Sequence, residues 1–136
     1  MTAIQDLKDM TALTNTQADV VSFIETLSQS IAEPVRFDDT MAIIDAHYDF
    51  TPSAFTNGKQ ANDAGENSGS CKLFSFAQIH QLTQPQTLQL FGQYYRDVLA
   101  MPEGKDHQNI RQFMFNGWQG IEFSQVALVL KASHID

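Results

Sequence analysis

Apolar residues recur every three to four positions in five stretches of the chain, which is the period of an amphipathic helix. Val20, Ile24 and Leu27 mark the first helix, predicted over residues 17–30 with Thr16 as its N-cap. The other four stripes are Met41, Ile44 and Tyr48; Leu73, Phe74, Phe76, Ala77 and Ile79; Leu88, Phe91, Tyr95, Val98 and Leu99; and Ile110, Phe113, Met114 and Trp118. Phe74, Phe91, Phe113 and Trp118 lie on the stripes of three different helices, so we expect them to share one core.

Capping residues and helix breakers place the ends of these helices. The predicted N-caps of the second, third and fifth helices are Asp38 or Asp39, Ser70, and Asp106. Pro85 suits the first turn of the fourth helix, which we expect to continue to Pro102. Gly92 lies inside that helix at a cost of about 1 kcal/mol relative to alanine, which predicts a closely approaching neighbouring backbone.

Helical periodicity is absent between residues 49 and 70, where glycine, asparagine and serine accumulate. Phe50 and Phe55 favour burial, so we expect an ordered loop with short strands near 48–51 and 54–57. Residues 35–37 suit a strand or a loop, and 121–123 and 127–131 suit strands, although 126–130 could equally form a terminal helix. The predicted fold is α+β: a mostly helical single domain over residues 16–136, with about five helices and a small sheet built from 35–37, 48–57 and 121–130. Residues 1–15 are expected to be a peripheral N-terminal extension.

Charge and composition exclude several classes of protein. The chain has 136 residues, with 8 Lys and Arg against 16 Asp and Glu and a formal net charge of -8. Its few cations are scattered, which argues against a nucleic-acid partner. Apolar runs such as 126–130 are too short to cross a bilayer, and the first sixteen residues lack a basic stretch followed by an apolar one. We therefore expect neither membrane insertion nor a cleaved signal peptide.

Five short strings, read in order, carry a resemblance to a known family. They are Tyr48-Asp49-Phe50-Thr51-Pro52, Phe55-Thr56-Asn57-Gly58, Asn67-Ser68-Gly69-Ser70-Cys71-Lys72, Gly92-Gln93-Tyr94-Tyr95-Arg96 and Asp106-His107-Gln108-Asn109-Ile110-Arg111. As a set they resemble the HopJ family of type III effector proteins, from about Val20 to Leu128. Ser53 stands where the family pattern usually has a second threonine, which is a minor departure.

The resemblance implies a small bacterial protein and no established reaction. It implies a place in the bacterial cytoplasm and export by a type III secretion system. The function expected is a binding or host-interaction module without a cofactor. Its partner would be an unidentified protein or a small anionic ligand.

A cysteine nucleophile is the alternative function. Cys71 is predicted at the N-terminus of the third helix, where the helix dipole lowers the pKa of a thiol, and His107 or His47 could serve as its base. The structural alternative is a buried thiol, because free cysteines are among the most buried residues.

A metal site is not expected. Asp45, His47 and Asp49 alternate along the chain. On a helix, residues two apart diverge by about 200°, so their side chains do not converge.

The candidate binding residues are Asn57, Asn67, His107 and Arg111. If the 56–70 loop packs over the N-terminus of the fifth helix, these side chains would line one concavity whose backbone N–H groups could receive an anion. The alternative is that the asparagines only close turns, while Arg111 pairs with an acidic residue.

Overall fold

The computed structural model describes residues 18–27 and 35–131. In chain order the elements are α1 (residues 18–26), α2 (Phe37–His47), β1 (Tyr48–Phe50), β2 (Phe55–Asn57), β3 (Gln60–Asn62), α3 (Ser68–Ile79), α4 (Gln84–Gln89), α5 (Gln93–Ala100), α6 (Gln108–Asn116), a 3₁₀ helix (Gly117–Gly120), β4 (Ile121–Phe123) and β5 (Leu128–Leu130). The predicted extension over residues 1–15 lies outside the described residues.

The strands form two small antiparallel sheets beside the helices. β1 pairs with β5, and β2 lies between β3 and β4. The prediction of a mostly helical α+β domain is thereby confirmed, as are the strands near 48–51, 54–57 and 121–123. The 126–130 segment, which suited a strand or a helix equally, contains β5.

The segment at 35–37 is not a strand, contrary to expectation. Arg36 is the N-cap of α2, and the Asp39 carboxylate accepts a hydrogen bond of 3.0 Å from the Arg36 N–H. Asp39 therefore belongs to the first helical turn and is not the N-cap, because its side chain reaches back across that turn in a capping box.

The predicted fourth helix is broken into α4 and α5. Gly92 has a φ of +61°, and a Cβ at this position would lie 2.4 Å from the backbone nitrogen of Phe37. The Leu90 carbonyl accepts a hydrogen bond of 2.8 Å from the Thr40 hydroxyl. The close neighbouring backbone predicted at Gly92 is thus confirmed, but the continuous helix was wrong, because the start of α2 approaches the chain there.

Two helices begin at residues other than those predicted. The N-cap of α3 is Asn67 instead of Ser70, and that of α6 is His107 instead of Asp106. Both have left-handed backbone conformations, with φ near +50°. Asparagine and histidine tolerate this region better than most residues do.

One aromatic core holds the helices together. The ring centroid of Phe74 on α3 lies 5.5 Å from that of Phe91, 5.0 Å from that of Phe113 and 6.3 Å from that of Trp118. The prediction that these four rings share a core is confirmed. Their contacts fix α3 against α6 and so set the relative position of the two helix N-termini described next.

Candidate functional site

A cavity of about 420 Å³ lies at the N-termini of α3 and α6. Its lining comes from α2, β3, the N-termini of α3 and α6, α5 and the turn between α4 and α5. The lining residues are Phe37, Gln60, Asn67, Ser70, Phe91, Tyr94, His107, Gln108, Asn109 and Ile110.

Backbone N–H groups lie at both helix N-termini, and of these the Ile110 N–H donates to the His107 carbonyl at 2.9 Å. The first N–H groups of a helix have no partner within that helix. Neither Asn67 nor His107 caps these groups with its side chain. Two sets of N–H donors, at the positive ends of two helix dipoles, therefore border the same cavity.

Aromatic rings form a wall of the cavity. The Tyr94 ring centroid lies 5.4 Å from that of His107 and 5.3 Å from that of Phe37, and the Phe37 ring stacks on Phe91 at 6.4 Å. Gly69 permits this arrangement, because a Cβ there would lie 2.7 Å from Cζ of Phe37. The cavity thus combines an aromatic surface with polar groups.

A network of four asparagines ties the hairpin loop to α6. Asn109 Oδ1 accepts hydrogen bonds from Nδ2 of Asn57 at 3.1 Å and Nδ2 of Asn62 at 3.2 Å. Asn62 Oδ1 accepts from Nδ2 of Asn109 at 3.0 Å and from Nδ2 of Asn67 at 2.7 Å. The network joins Asn67, at the cavity, to the buried Asn57 behind it.

Asn57 also donates to the main-chain oxygen of Asn109 at 2.7 Å, and this second bond fixes the orientation of its amide. Its Oδ1 atom is buried and has no hydrogen-bond partner among the described residues. Asn57 does not itself line the cavity and contributes to it by holding Asn109.

Arg111 faces a different cavity, lined also by Val98, Pro102 and Phe115. Its guanidinium donates to the Asp106 carboxylate at 2.7 Å, the Asp106 carbonyl at 2.6 Å and the Pro102 carbonyl at 3.2 Å. This pairing holds the pKa of Asp106 below its usual range, first through the hydrogen bond from Arg111. Of the four candidate binding residues, the structure therefore brings Asn67 and His107 to one cavity, places Asn57 behind it and puts Arg111 outside it.

Of the ten lining residues, sequence reasoning identified only Asn67 and His107 as site residues; those missed include Tyr94, Gln60 and Ser70. Tyr94 belongs to one of the strings that carry the family resemblance, and its position one residue before the half-buried Tyr95 indicates a different side of α5. Gln60 could not be placed because β3 had not been predicted. Ser70 was treated as a cap of α3.

Cys71 is buried, with 1% of its surface exposed. Its thiol donates a hydrogen bond of 3.5 Å to the Ser53 carbonyl, and burial raises its pKa although that bond opposes the shift. His47 lies 3.7 Å from the Asp19 carboxylate, while His107 lines the cavity. Within residues 18–27 and 35–131, no histidine forms a hydrogen bond with Cys71.

A tyrosine–histidine pair lies elsewhere in the molecule and was not foreseen. The Tyr48 hydroxyl and His80 Nε2 share a hydrogen bond of 2.6 Å. Burial raises the pKa of Tyr48 and lowers the pKa of His80, so both side chains are favoured in their neutral forms. The pair does not line the cavity.

Metal-binding clusters and membrane-spanning helices are both absent from the described part of the chain. Its residues include no group of three or more His, Cys, Asp or Glu side chains placed to hold a metal ion. None of its helices has the length and apolar character needed to cross a membrane.

Comparison with known proteins places the chain in a family. No curated protein matches it. A solved crystal structure, described as that of the unknown-function protein VPA0580, is 52% identical to this chain with a TM-score of 0.77, and the match covers 81% of this chain and 92% of the other. The family model of the HopJ type III effector proteins matches residues 20–128. The chain therefore belongs to the HopJ family.

Proposed function

We propose that this HopJ protein is a binding module that recognises a small organic anion in the cavity between the N-termini of α3 and α6. The observation that carries the proposal is the convergence of two uncapped helix N-termini on one cavity with an aromatic wall. Cys71 does not enter the proposal, because its thiol is buried and its pKa is raised.

The acidic group of the ligand would bind at the helix ends. Backbone N–H groups and the positive ends of helix dipoles favour negative charge. His107 lies beside them and adds a ring N–H donor, and a positive charge when protonated. Among the residues that the structure describes, the lining includes no Asp or Glu side chain, and the nearest described carboxylate to His107 is that of Asp106, 3.8 Å from Nε2.

The body of the ligand would pack against the aromatic wall. Phe37, Phe91 and Tyr94 give an aromatic surface that suits a planar or aliphatic group. The cavity volume of about 420 Å³ is within the range of small-molecule sites. A bare inorganic anion would leave this wall unused, so an organic anion fits better.

The asparagine network makes the cavity rigid, and a rigid cavity favours specific recognition of a ligand. The asparagine network fixes Asn67 and Asn109 relative to each other through Asn62. Preorganised groups bind with a smaller loss of conformational entropy than mobile ones. The loop between β3 and α3 is thereby held as part of the site.

Export is a separate part of the proposal. We propose that a type III secretion system exports the protein from the bacterial cytoplasm, which the family description supports. Secretion of the full chain should be compared with that of a chain lacking residues 1–15. Loss of secretion without the segment supports export, and equal absence of both proteins from the medium contradicts it.

Calorimetric titration with benzoate tests the binding site, because benzoate combines a carboxylate with a flat ring. Benzylamine, which has the same ring and a cation, is the matched ligand control. We expect binding of benzoate and none of benzylamine. Equal heats for both ligands, or none for benzoate, would contradict the proposal.

Variants locate the binding. His107→Gly removes the imidazole and tolerates the left-handed backbone, so affinity should fall without loss of folding. His47→Ala is the matched control, because His47 lies at the end of α2 and does not line the cavity. Equal affinity of the two variants for benzoate would place the ligand elsewhere.

A further inference from the structure

A second cavity of about 370 Å³ lies between α5 and α6 and is largely apolar. We call it the α5–α6 groove; its lining residues are Val98, Leu99, Pro102, Arg111, Gln112, Met114 and Phe115. Phe115 is 87% exposed and Leu99 is 52% exposed. Neither residue belongs to the proposed anion site.

The helices explain why these side chains remain outside. α6 buries Ile110 and Phe113 in the core, which leaves Met114 and Phe115 on its other side. α5 likewise buries Val98 and exposes Leu99. Single exposed apolar residues are ordinary, but a cluster around a groove is typical of an interaction surface.

The charges beside the groove disfavour an acidic partner. Among the described residues, Arg111 is the one charged side chain of its lining, and that guanidinium is already bound by Asp106 and by two carbonyls. The bordering turn exposes Glu103 and Asp106 together with Lys105. The described lining therefore offers no unpaired cation to a carboxylate.

The charge of the whole molecule favours a basic partner. With a formal net charge of -8, the protein attracts a cationic chain and repels another copy of itself. Methionine and phenylalanine provide adaptable and large apolar contacts, of the kind that accept the apolar face of a helix.

We propose that the α5–α6 groove docks a basic amphipathic helix of a partner protein. The apolar face of that helix packs on Leu99, Met114 and Phe115, while its Lys and Arg residues are attracted by the net negative charge of the whole protein. This interaction is independent of anion binding at the other cavity.

The test uses a synthetic amphipathic peptide of leucine and lysine, about five helical turns long, with all leucines on one face. Fluorescence anisotropy with the full chain should show saturable binding that weakens as salt is raised. Two peptides serve as controls, a scrambled sequence of the same composition and an amphipathic peptide with glutamate in place of lysine. Equal affinity for the scrambled peptide would overturn the proposal, because it would show that the charge of the peptide is sufficient for binding and that its apolar face is not needed.

Surface variants then identify the groove. Phe115→Ser and Leu99→Ser should each weaken peptide binding by about tenfold, as expected for apolar anchors. Val126→Ser is the control, because Val126 is exposed at 73% and lies outside the groove. Binding unchanged in both groove variants would overturn the assignment.

Other occupants give different results. Sedimentation that shows a dimer dissociated by Phe115→Ser would assign the groove to a second copy and overturn the proposal. Tighter peptide binding after Leu7→Ser and Met10→Ser would assign it to the chain's own N-terminal segment, with the same consequence. A monomer whose affinity is unchanged by Leu7→Ser and Met10→Ser supports the partner helix.

Discussion

The Asn109 side chain takes part in three hydrogen bonds beside the cavity. It accepts from Asn57 and Asn62 and donates back to Asn62. These groups are buried, so leaving one of them without a partner costs more free energy of folding than the net contribution of a single hydrogen bond. Together with the hydrogen bond from the Lys59 N–H to Gln112 Oε1 at 3.1 Å, the Asn109 side chain fixes the hairpin to α6.

Replacing Asn109 with alanine should destabilise the protein. Several buried amide groups lose a partner, although each retains another, so we expect a loss of about 1 to 3 kcal/mol in the free energy of unfolding. Denaturant unfolding measures this loss. Asn116→Ala is the control, because Asn116 is exposed and should change stability by less than about 0.5 kcal/mol. Equal effects of the two variants would show that the network adds no stability.

The Tyr48–His80 pair predicts a pH dependence of stability. The pKa of His80 is lowered by burial from 6.5, so the folded state disfavours the charged ring. Its contribution to stability is therefore complete above pH 6.5 and is lost as pH falls through the lowered folded pKa.

Urea unfolding between neutral pH and pH 5 tests this linkage. The wild-type protein should lose stability over that interval, while His80→Gln, which keeps an acceptor for the Tyr48 hydroxyl, should lose less. An identical slope in both proteins would show that His80 is not the group responsible.

At the scale of elements, the chain's helices were easier to predict than their ends. The apolar stripes identified α2, α3 and α6, because burial of one face dominates helix formation. The break between α4 and α5 depends on contacts with α2 that span 50 and 56 residues of the chain, so local periodicity could not reveal it. For the same reason the stripe of Leu88, Phe91 and Tyr95 gave a single long helix.

The candidate site was predictable only in part. Asn67 and His107 were found because they stand in the strings of the family resemblance and next to predicted helix starts. Arg111 was grouped with His107 by their spacing of four on a helix, but the Asp106 carboxylate and two carbonyls draw its side chain to the other cavity. Which of these possible partners binds the Arg111 guanidinium depends on the tertiary structure, so the sequence alone could not reveal it.

Gly92→Ala should destabilise the junction of α4, α5 and α2. The alanine would be strained at a φ of +61°, and its Cβ would meet the Phe37 backbone nitrogen at 2.4 Å. Gly65→Ala is the matched control, because Gly65 also has a positive φ but a Cβ added there would have no atom of the described residues within 4 Å. We expect a lower thermal midpoint for Gly92→Ala than for Gly65→Ala, and the reverse order would contradict the close approach.

At the scale of the whole molecule, one aromatic core supports both proposed binding surfaces, which are the cavity at the N-termini of α3 and α6 and the α5–α6 groove. α6 contributes His107 and Asn109 to one cavity and Arg111 and Phe115 to the other. Phe113 anchors that helix against Phe74 of α3. A substitution in the core should therefore lower the stability of the whole domain, with no selective effect on one of the two surfaces.

Phe91→Ala tests the core. Phe91 is buried and lies 5.5 Å from Phe74 between ring centroids. Truncation of a buried phenylalanine costs about 3 to 5 kcal/mol, so the denaturant midpoint should fall clearly. An unchanged midpoint would show that the α4–α5 junction does not pack as described.

Amide chemical-shift mapping during a benzoate titration tests most directly whether the N-termini of α3 and α6 bind a small organic anion. We predict that the largest shifts occur at the backbone N–H groups of Ser70, Gln108 and Asn109, which line the cavity. Shifts confined to other residues, or none at saturating benzoate, would contradict the account.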